Sequence, residues 1–244
     1  MPKFFVRQDQ VNDNKITILG DDSFHISRAL RMAKGEHVTV CDMQSNEYEC
    51  VLAEFNADNV VAEILSQRKI NNEPPIRVYL FQALPKGDKL ETVIQKAVEC
   101  GVFEITPFES ERCVVKVKAD AEEKKTERRN RISLEAAKQC GRGYVPRVNP
   151  TESFKSAVEL ASECDLCVFC YEGEETLSLK ALLQEHKEAE SIAVFIGSEG
   201  GFSQNEVEYA SEHGMKSVSL GKRILRTETA SSFVLSCIAY ESEL

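Results

Sequence analysis

The chain lacks the features that would place it in a membrane, outside the cell or around a metal. None of its apolar runs approaches the about 20 consecutive residues that a membrane-spanning helix needs. No charged stretch followed by an apolar run leads the chain at "MPKFFVRQDQ", so no secretory signal is expected there. Both absences predict a soluble, cytoplasmic protein. Its nine cysteines are then expected to be reduced thiols, since an odd number cannot all pair and the cytosol rarely preserves disulfides. Cys164, Cys167 and Cys170 in "CDLCVFC" have metal-ligand spacing, but no second cysteine pair or adjacent histidine completes a tetrahedral set. The stretch reads instead as a buried strand in which cysteine serves as a small hydrophobe, and no bound metal is expected. Internal repeats and low-complexity tracts are also missing, which leaves ordinary globular structure: 244 residues make one large domain or two small ones.

A formal charge of -10 argues against nucleic acid as a partner, yet the distribution argues the other way. Arg112 to Arg147 holds 11 Lys/Arg against 5 Asp/Glu, a local charge of +6. Such a run is either a solvated helical face or an RNA footprint on an acidic protein.

Over the first seventy residues the alternating runs "FFVRQ", "KITIL", "EHVTVCD" and "YECVLAEF" are separated by turn residues such as "NDN" and "NAD". That pattern predicts a small antiparallel barrel or sheet. "RKINNEPPIR" breaks both periodicities and reads as a linker, which divides the chain into 1–71 and 72–244. Beyond it strands and helices alternate. "IRVYLFQAL" reads as a buried strand, and "DKLETVIQKAVEC" puts Leu90, Val93, Ile94, Ala97 and Val98 on one helical face with Gly101 as the cap. Further helices are expected over Ala121–Cys140, Ser153–Ala161, Ser178–Lys187, Gln204–His213 and Thr227–Glu241, with strands at Leu166–Tyr171, Ile192–Ile196 and Lys216–Leu220. This is the pattern of an α/β domain with a mostly parallel sheet, whose ligands bind beyond the carboxyl ends of the strands.

Two loops lie at such ends. "GSEGGF" is no Walker loop, because no Lys-Ser/Thr follows the glycines, and it does not match G-x-G-x-x-G either. Ser203 and Glu206 form a capping box that opens the next helix, so the glycines make a strand-to-helix turn whose backbone can approach a ligand. "LGKRILRTETASS" repeats the arrangement, with Gly221 ending a strand, Thr227 and Glu228 starting a helix, and Arg223 and Arg226 between them. Either loop alone could be a turn built of glycine for conformation. The pair, flanked by cations, suits a nucleoside-like ligand.

"FIGSEGGFSQNEVE" with "LGKRILRTETA" resembles the paired signature of the SPOUT superfamily, and within it the 16S ribosomal RNA uridine-N3 methyltransferases. "HISRALRMAKGEHVTVCD", "PKGDKLETVIQKAVECGV" and "EAAKQCGRGYVPRV" extend the resemblance over nearly the whole chain. It implies an N-terminal PUA-like β-barrel that recognises RNA, a C-terminal α/β domain with a deep trefoil knot, S-adenosylmethionine as cofactor, and a homodimer acting on 16S ribosomal RNA or the small ribosomal subunit. Carried over by motif, the cofactor-binding residues are Ile196, Gly197, Glu199, Gly200 and Gly201 of the first loop and Leu220, Gly221, Ile224, Leu225, Arg226 and Thr229 of the second. Tyr171 and Glu172, in the turn after Cys170, close the third side. The family loop usually reads Gly-Pro-Glu-Gly-Gly, where this chain has Ser198.

Methylation at uracil N3 requires that its proton leave and that the resulting anion be stabilised in line with the methyl donor. Arg226 is the candidate for stabilising the anion, unless it pairs with Glu228 at the helix start. Glu199 is a candidate proton acceptor, unless its carboxylate only bonds loop amides. Arg28, Arg31 and Arg142 match family positions and are candidate RNA anchors, whereas His25 reads as a structural turn residue. Two alternatives keep the same fold: methylation of another RNA base, and a non-catalytic RNA-binding assembly factor.

Overall fold

The computed structural model describes residues 1–116, 119–174 and 176–244, and only the backbone at 119 and 120. The chain separates into two compact units, Met1–Glu73 with Ala137–Val145, and Pro74–Ala136 with Pro146–Leu244.

Alternation decides which side chains of the first unit are buried. Its elements are β1 (Lys3–Phe5), β2 (Val11–Asn12), β3 (Lys15–Leu19), α1 (Gly20–Phe24), β4 (His37–Cys41), β5 (Asn46–Phe55) and β6 (Asn59–Lys69). In "KITIL" of β3 the isoleucines Ile16 and Ile18 turn inward and pack with Phe4, Ile26, Val38, Val40 and Leu52. The strands lie in the order β1-β4-β5-β6-β3-β2, antiparallel throughout except for the parallel pair β1 and β4. This path is open, because no pairing joins its end strands β1 and β2 among the described residues. The closed barrel implied by the resemblance is therefore not formed by backbone hydrogen bonds. Alternation specifies the buried face but carries no information on closure.

Segment 137–145 joins this unit through polar clasps that no composition shift reveals. Asn72 Nδ2 and Lys3 Nζ both donate to the Gly141 carbonyl, at 2.6 and 3.0 Å. Lys138 pairs with Asp22 at 3.1 Å. The Arg142 guanidinium grips Glu73 through Nε at 3.1 Å and Nη2 at 2.5 Å.

The second unit alternates strand and helix: β7 (Arg77–Ala83), α2 (Lys89–Glu99), β8 (Glu104–Glu109), α3 (Ala119–Cys140, its last turn grouping with the first unit), β9 (Arg147–Val148), β10 (Glu152–Ser153), α4 (Phe154–Ala161), β11 (Leu166–Cys170), α5 (Leu179–Glu185), β12 (Ser191–Ile196), α6 (Gln204–Glu212), β13 (Lys216–Val218) and α7 (Thr227–Glu243). Every strand pair is parallel, in the order β10-β8-β7-β12-β11-β13, with β9 beside β8. The chain leaves β7 on one side towards β8 and later fills the other side with β11, β12 and β13, so the order reverses between β7 and β12. Crevices at such a reversal are where parallel sheets bind ligands.

Helix α2 buries the five expected residues, and Gly101, at φ 86°, ends it. A side chain there would meet Pro74 Cγ at 2.6 Å. Phe81 stacks on Phe195 at 4.6 Å, and Phe169 lies 4.2 Å from Phe202, which makes the sheet core aromatic. Cysteine takes a hydrophobic role in and just before β11: burial raises the Cys164 thiol to about 12 and pushes the Cys170 thiol higher still.

The basic run does not form one stripe. Its Lys118 lies outside the described residues. Arg129 is buried on Glu122, Arg128 pairs with Glu91, and Lys116 with Glu109, in addition to the Lys138 and Arg142 clasps. Lys124, Lys125 and Arg131 share the exposed face of α3 with Glu123 and Glu127.

Candidate active site

A cleft of about 810 Å³ opens at the carboxyl ends of β11 and β12 and beside the loop after β13. Strand β12 is buried throughout and delivers Ile196 and Gly197 to its floor. There the chain turns sharply, with the Gly201 amide donating to the Ser198 carbonyl at 3.0 Å. Gly201 sits at φ 64°, and a Cβ on it would strike the Glu172 carboxylate, so the position demands glycine twice over. The far side of the turn is anchored by Phe202, 1% exposed, and by the expected capping box: the Glu206 amide donates to Ser203 Oγ and the Ser203 amide to Glu206 Oε2. Ser198 Oγ, on the cleft wall, is buried and has no hydrogen-bond partner among the described residues.

Glu199 projects into a small ionic cluster. Lys89 Nζ lies 2.8 Å from its Oε1 and 3.6 Å from Glu228 Oε2, and the Lys86 amide donates to both Glu199 oxygens. Burial opposes ionisation of Glu199, but the hydrogen bond from Lys89 and those from the loop and Lys86 amides outweigh it and hold the carboxyl below its ordinary range. The carboxylate is thus occupied by donors and weakly basic.

The second loop reaches the cleft through Leu220, Gly221, Ile224 and Leu225, with Ile224 89% exposed. Arg226 follows as the N-cap residue of α7; its carbonyl accepts from the Thr229 and Ala230 amides. Its guanidinium is exposed and has no hydrogen-bond or ion-pair partner among the described residues, because Glu228 turns to Lys89 instead. Thr227 ties the two loops together. Its hydroxyl donates to the Gly197 carbonyl at 2.7 Å and accepts from Gln82 Nε2 at 2.9 Å.

Of the residues expected to bind cofactor, Tyr171, Glu172, Ile196, Gly197, Glu199, Gly201, Leu220, Gly221, Ile224, Leu225 and Arg226 line this one cleft. Gly200 and Thr229 do not. Gly200 faces away, against Arg112, whose Nη1 donates to its carbonyl at 3.1 Å, and Thr229 stands exposed in the first turn of α7. Sequence reasoning placed Ser198 in the loop and missed Lys89 and Cys170 on the wall. Lys89 lies 110 residues from its partner Glu199, and only its place at the start of the helix after β7 hinted at the cleft.

The three RNA-anchor candidates belong to the first unit. Arg28 and Arg31 are exposed, and the Arg28 guanidinium lies 4.8 Å from the centre of the Phe24 ring. Arg142 is 5% exposed and spent on Glu73. This counts against the expectation for Arg142, since a guanidinium buried and turned to Glu73 inside the fold is not presented to a phosphate. His25 caps α1, its amide donating to the Asp21 and Asp22 carbonyls, and its ring meets Phe4 edge-on.

A cleft of this size, with bare backbone on two sides, carboxylates on its wall and an unpaired guanidinium at its mouth, suits a polar ligand of nucleoside dimensions. The RNA methyltransferase domain family matches residues 72–239. Over the whole chain, the sequence is 36% identical to Ribosomal RNA small subunit methyltransferase E of Bacillus subtilis, covering 98% of that protein. It is also 36% identical, over 98% of this chain and 99% of the relative, to the protein of the same name from Mesomycoplasma hyopneumoniae. The crystal structure of a Ribosomal RNA small subunit methyltransferase E from Neisseria gonorrhoeae, bound to S-adenosyl methionine, superimposes with a TM-score of 0.86 at 29% identity, covering 99% of this chain and 98% of that one. The glycine-loop cleft therefore sits in a chain that belongs to the RNA methyltransferase family, among the small-subunit ribosomal RNA methyltransferases E.

Proposed function

We propose that this protein methylates N3 of a specific unpaired uridine in 16S ribosomal RNA, using S-adenosylmethionine, as a cytoplasmic homodimer. The observation that carries the reading is the convergence of two glycine-rich strand ends on one cleft beside Arg226, a cation with no partner among the described residues.

The residues present fit the cofactor. The cleft falls within the size range of small-ligand sites. Buried Ser198 Oγ offers an unspent hydrogen bond, and the bare Cα of Gly201 leaves the Glu172 carboxylate room at the wall. Tyr171, Glu172, Ile196, Gly197, Gly201, Leu220, Gly221, Ile224 and Leu225 would hold it. When bound, S-adenosylmethionine supplies a methyl group already activated on a sulfonium centre.

The chain's own contribution is to favour the uridine anion and hold it in line. Arg226 stabilises charge as it develops on the base, through donors that no internal acceptor occupies. Glu199 anchors the glycine turn to Lys89 and the Lys86 amide, and its depressed pKa makes it a poor proton acceptor. N3 lies on the Watson–Crick edge, so the target is single-stranded or flipped out. The first unit recognises RNA, with Arg28 and Arg31 as phosphate anchors. The second carries the cofactor cleft and the dimer interface, and exposed Phe233 and Tyr240 on α7 support the latter. The trefoil knot fits the path of the chain, which leaves the β13 edge and crosses the ends of β11 and β12 before α7 packs on α2, β7 and β12.

Mass mapping of 16S ribosomal RNA from cells with and without the protein tests the assignment. One N3-methyluridine should disappear and return when purified protein and S-adenosylmethionine are added. Loss of a methyl group from another base atom would change the substrate, and an unaltered methylation map would leave the assembly-factor reading.

A further inference from the structure

The first unit is acidic, with 8 Lys/Arg against 12 Asp/Glu in Met1–Glu73, yet Ser23 to Gly35 carries Arg28, Arg31 and Lys34 and no acidic residue. This basic island is built by an irregular turn. After α1 the helix widens into one π-helical turn, His25–Ala29, in which the Leu30 amide donates to the His25 carbonyl at 2.8 Å. The chain then turns through Arg31, held at φ 53°, a backbone conformation that costs a non-glycine residue energy. The turn drives Ile26 completely into the core and leaves Phe24 52% exposed and Leu30 41% exposed. Phe24 and Arg28, one helical turn apart, stack ring against guanidinium at 4.8 Å. Nearby Asp22 is already neutralised by Lys138.

An exposed aromatic ring braced by a guanidinium, with two further cations alongside and no carboxylate within the segment, has the composition of a base-stacking platform on a phosphate-binding edge. We infer that Phe24 stacks on an unpaired base of the RNA while Arg28, Arg31 and Lys34 follow its phosphates. The inference rests on the reading of the protein as an RNA methyltransferase, and deepens it by naming an unpaired base of the substrate RNA as the ligand of the first unit. Strained backbone at Arg31 and the widened turn serve to aim these side chains outward together.

Binding of a 16S ribosomal RNA transcript and of a short single-stranded oligouridylate, measured over a salt series, tests the platform. Phe24→Ala should weaken binding about ten-fold, the loss of one stacked base, with the salt slope unchanged. Arg31→Ala should lower that slope by about one. The chain contains no tryptophan, so Phe24→Trp installs a single reporter at the site. It should bind as tightly as the wild type, and its emission should be quenched by the oligouridylate but not by inorganic polyphosphate. Calorimetry should find S-adenosylmethionine affinity unaltered in all three variants. If wild-type protein binds the RNA and Phe24→Ala binds it equally tightly, the platform is refuted and the methyltransferase reading stands. A wild type that binds neither RNA nor cofactor refutes both.

Discussion

Arg226→Ala separates a catalytic guanidinium from a structural one, because the fold makes no other use of this side chain. Arg226 is exposed, and the helix-start partner it could have taken, Glu228, pairs with Lys89. Its removal leaves no buried charge behind and should change stability by no more than about 0.5 kcal/mol. Most of the cleft is lined by other residues, so S-adenosylmethionine affinity should change much less than the rate. The rate is another matter. Loss of one donor aimed at developing charge typically costs about 10²-fold to 10³-fold, or about 3–4 kcal/mol of transition-state stabilisation. Arg226→Lys should recover little of it, since an ammonium cannot reproduce the guanidinium fork. Single-turnover methyl transfer with cofactor and RNA both saturating measures the chemical step apart from binding. Wild-type rates for Arg226→Ala under those conditions would make Arg226 a binding residue and remove the electrostatic argument.

Gly201→Ala combines a positive φ with an overlap on the Glu172 carboxylate; it should lower S-adenosylmethionine affinity at least about ten-fold, and Gly201→Val, which is bulkier, should lower it further. Calorimetry on the two variants decides, and an unchanged affinity for Gly201→Ala would mean that the turn yields. Glu73→Ala removes the carboxylate that the buried Arg142 guanidinium grips in the first unit and should lower the unfolding free energy by about 3 kcal/mol in urea; a loss under about 1 kcal/mol would mean that this pair contributes little. Burial opposes ionisation of Glu122, but the Thr151 hydroxyl and amide and then Arg129 hold its pKa below the ordinary 4.5. The unfolded state therefore binds the proton more readily. The resulting stabilisation is complete above about pH 4.5 and fades as pH falls through the lower folded value, so Glu122→Gln should flatten the stability profile below pH 4.5, and a profile parallel to wild type would refute the assignment.

Much of the cleft could be read locally because its information is local. A buried six-residue strand, a turn that only glycine can make and a Ser-x-x-Glu cap follow each other without interruption in "SIAVFIGSEGGFSQNE". Elements set by periodicity were likewise legible, and α2 buries the five residues that its spacing selected. What escaped depends on partners distant in sequence. "QCGRGYVP" places Arg142 between two glycines as if on an open loop, and nothing nearby announces Glu73, 69 residues earlier. The parallel pairing of β1 with β4 and the open path of the first sheet are decisions between strands, whereas alternation within a strand reports only its two faces. The π-helical turn after Phe24 was invisible for a related reason: its spacing is neither 3.6 nor 2, so no periodic template detects it.

The hydroxyl of Thr227 bridges groups that arrive far apart in time as well as in sequence. Gln82 leaves the ribosome 145 residues before it, and the Gly197 carbonyl 30 residues before it. Until Thr227 emerges, the Gly197 carbonyl lacks this donor and the second loop cannot close over the first. Strands β7, β8, β11 and β12 all precede Thr227 in the chain, but the edge that bears both loops is completed only when Thr227 reaches it. Loop closure over such separations is slow. A chain in which α7 has not yet docked is therefore expected to keep its other strands but to lack the hydrogen bond that joins the two loops.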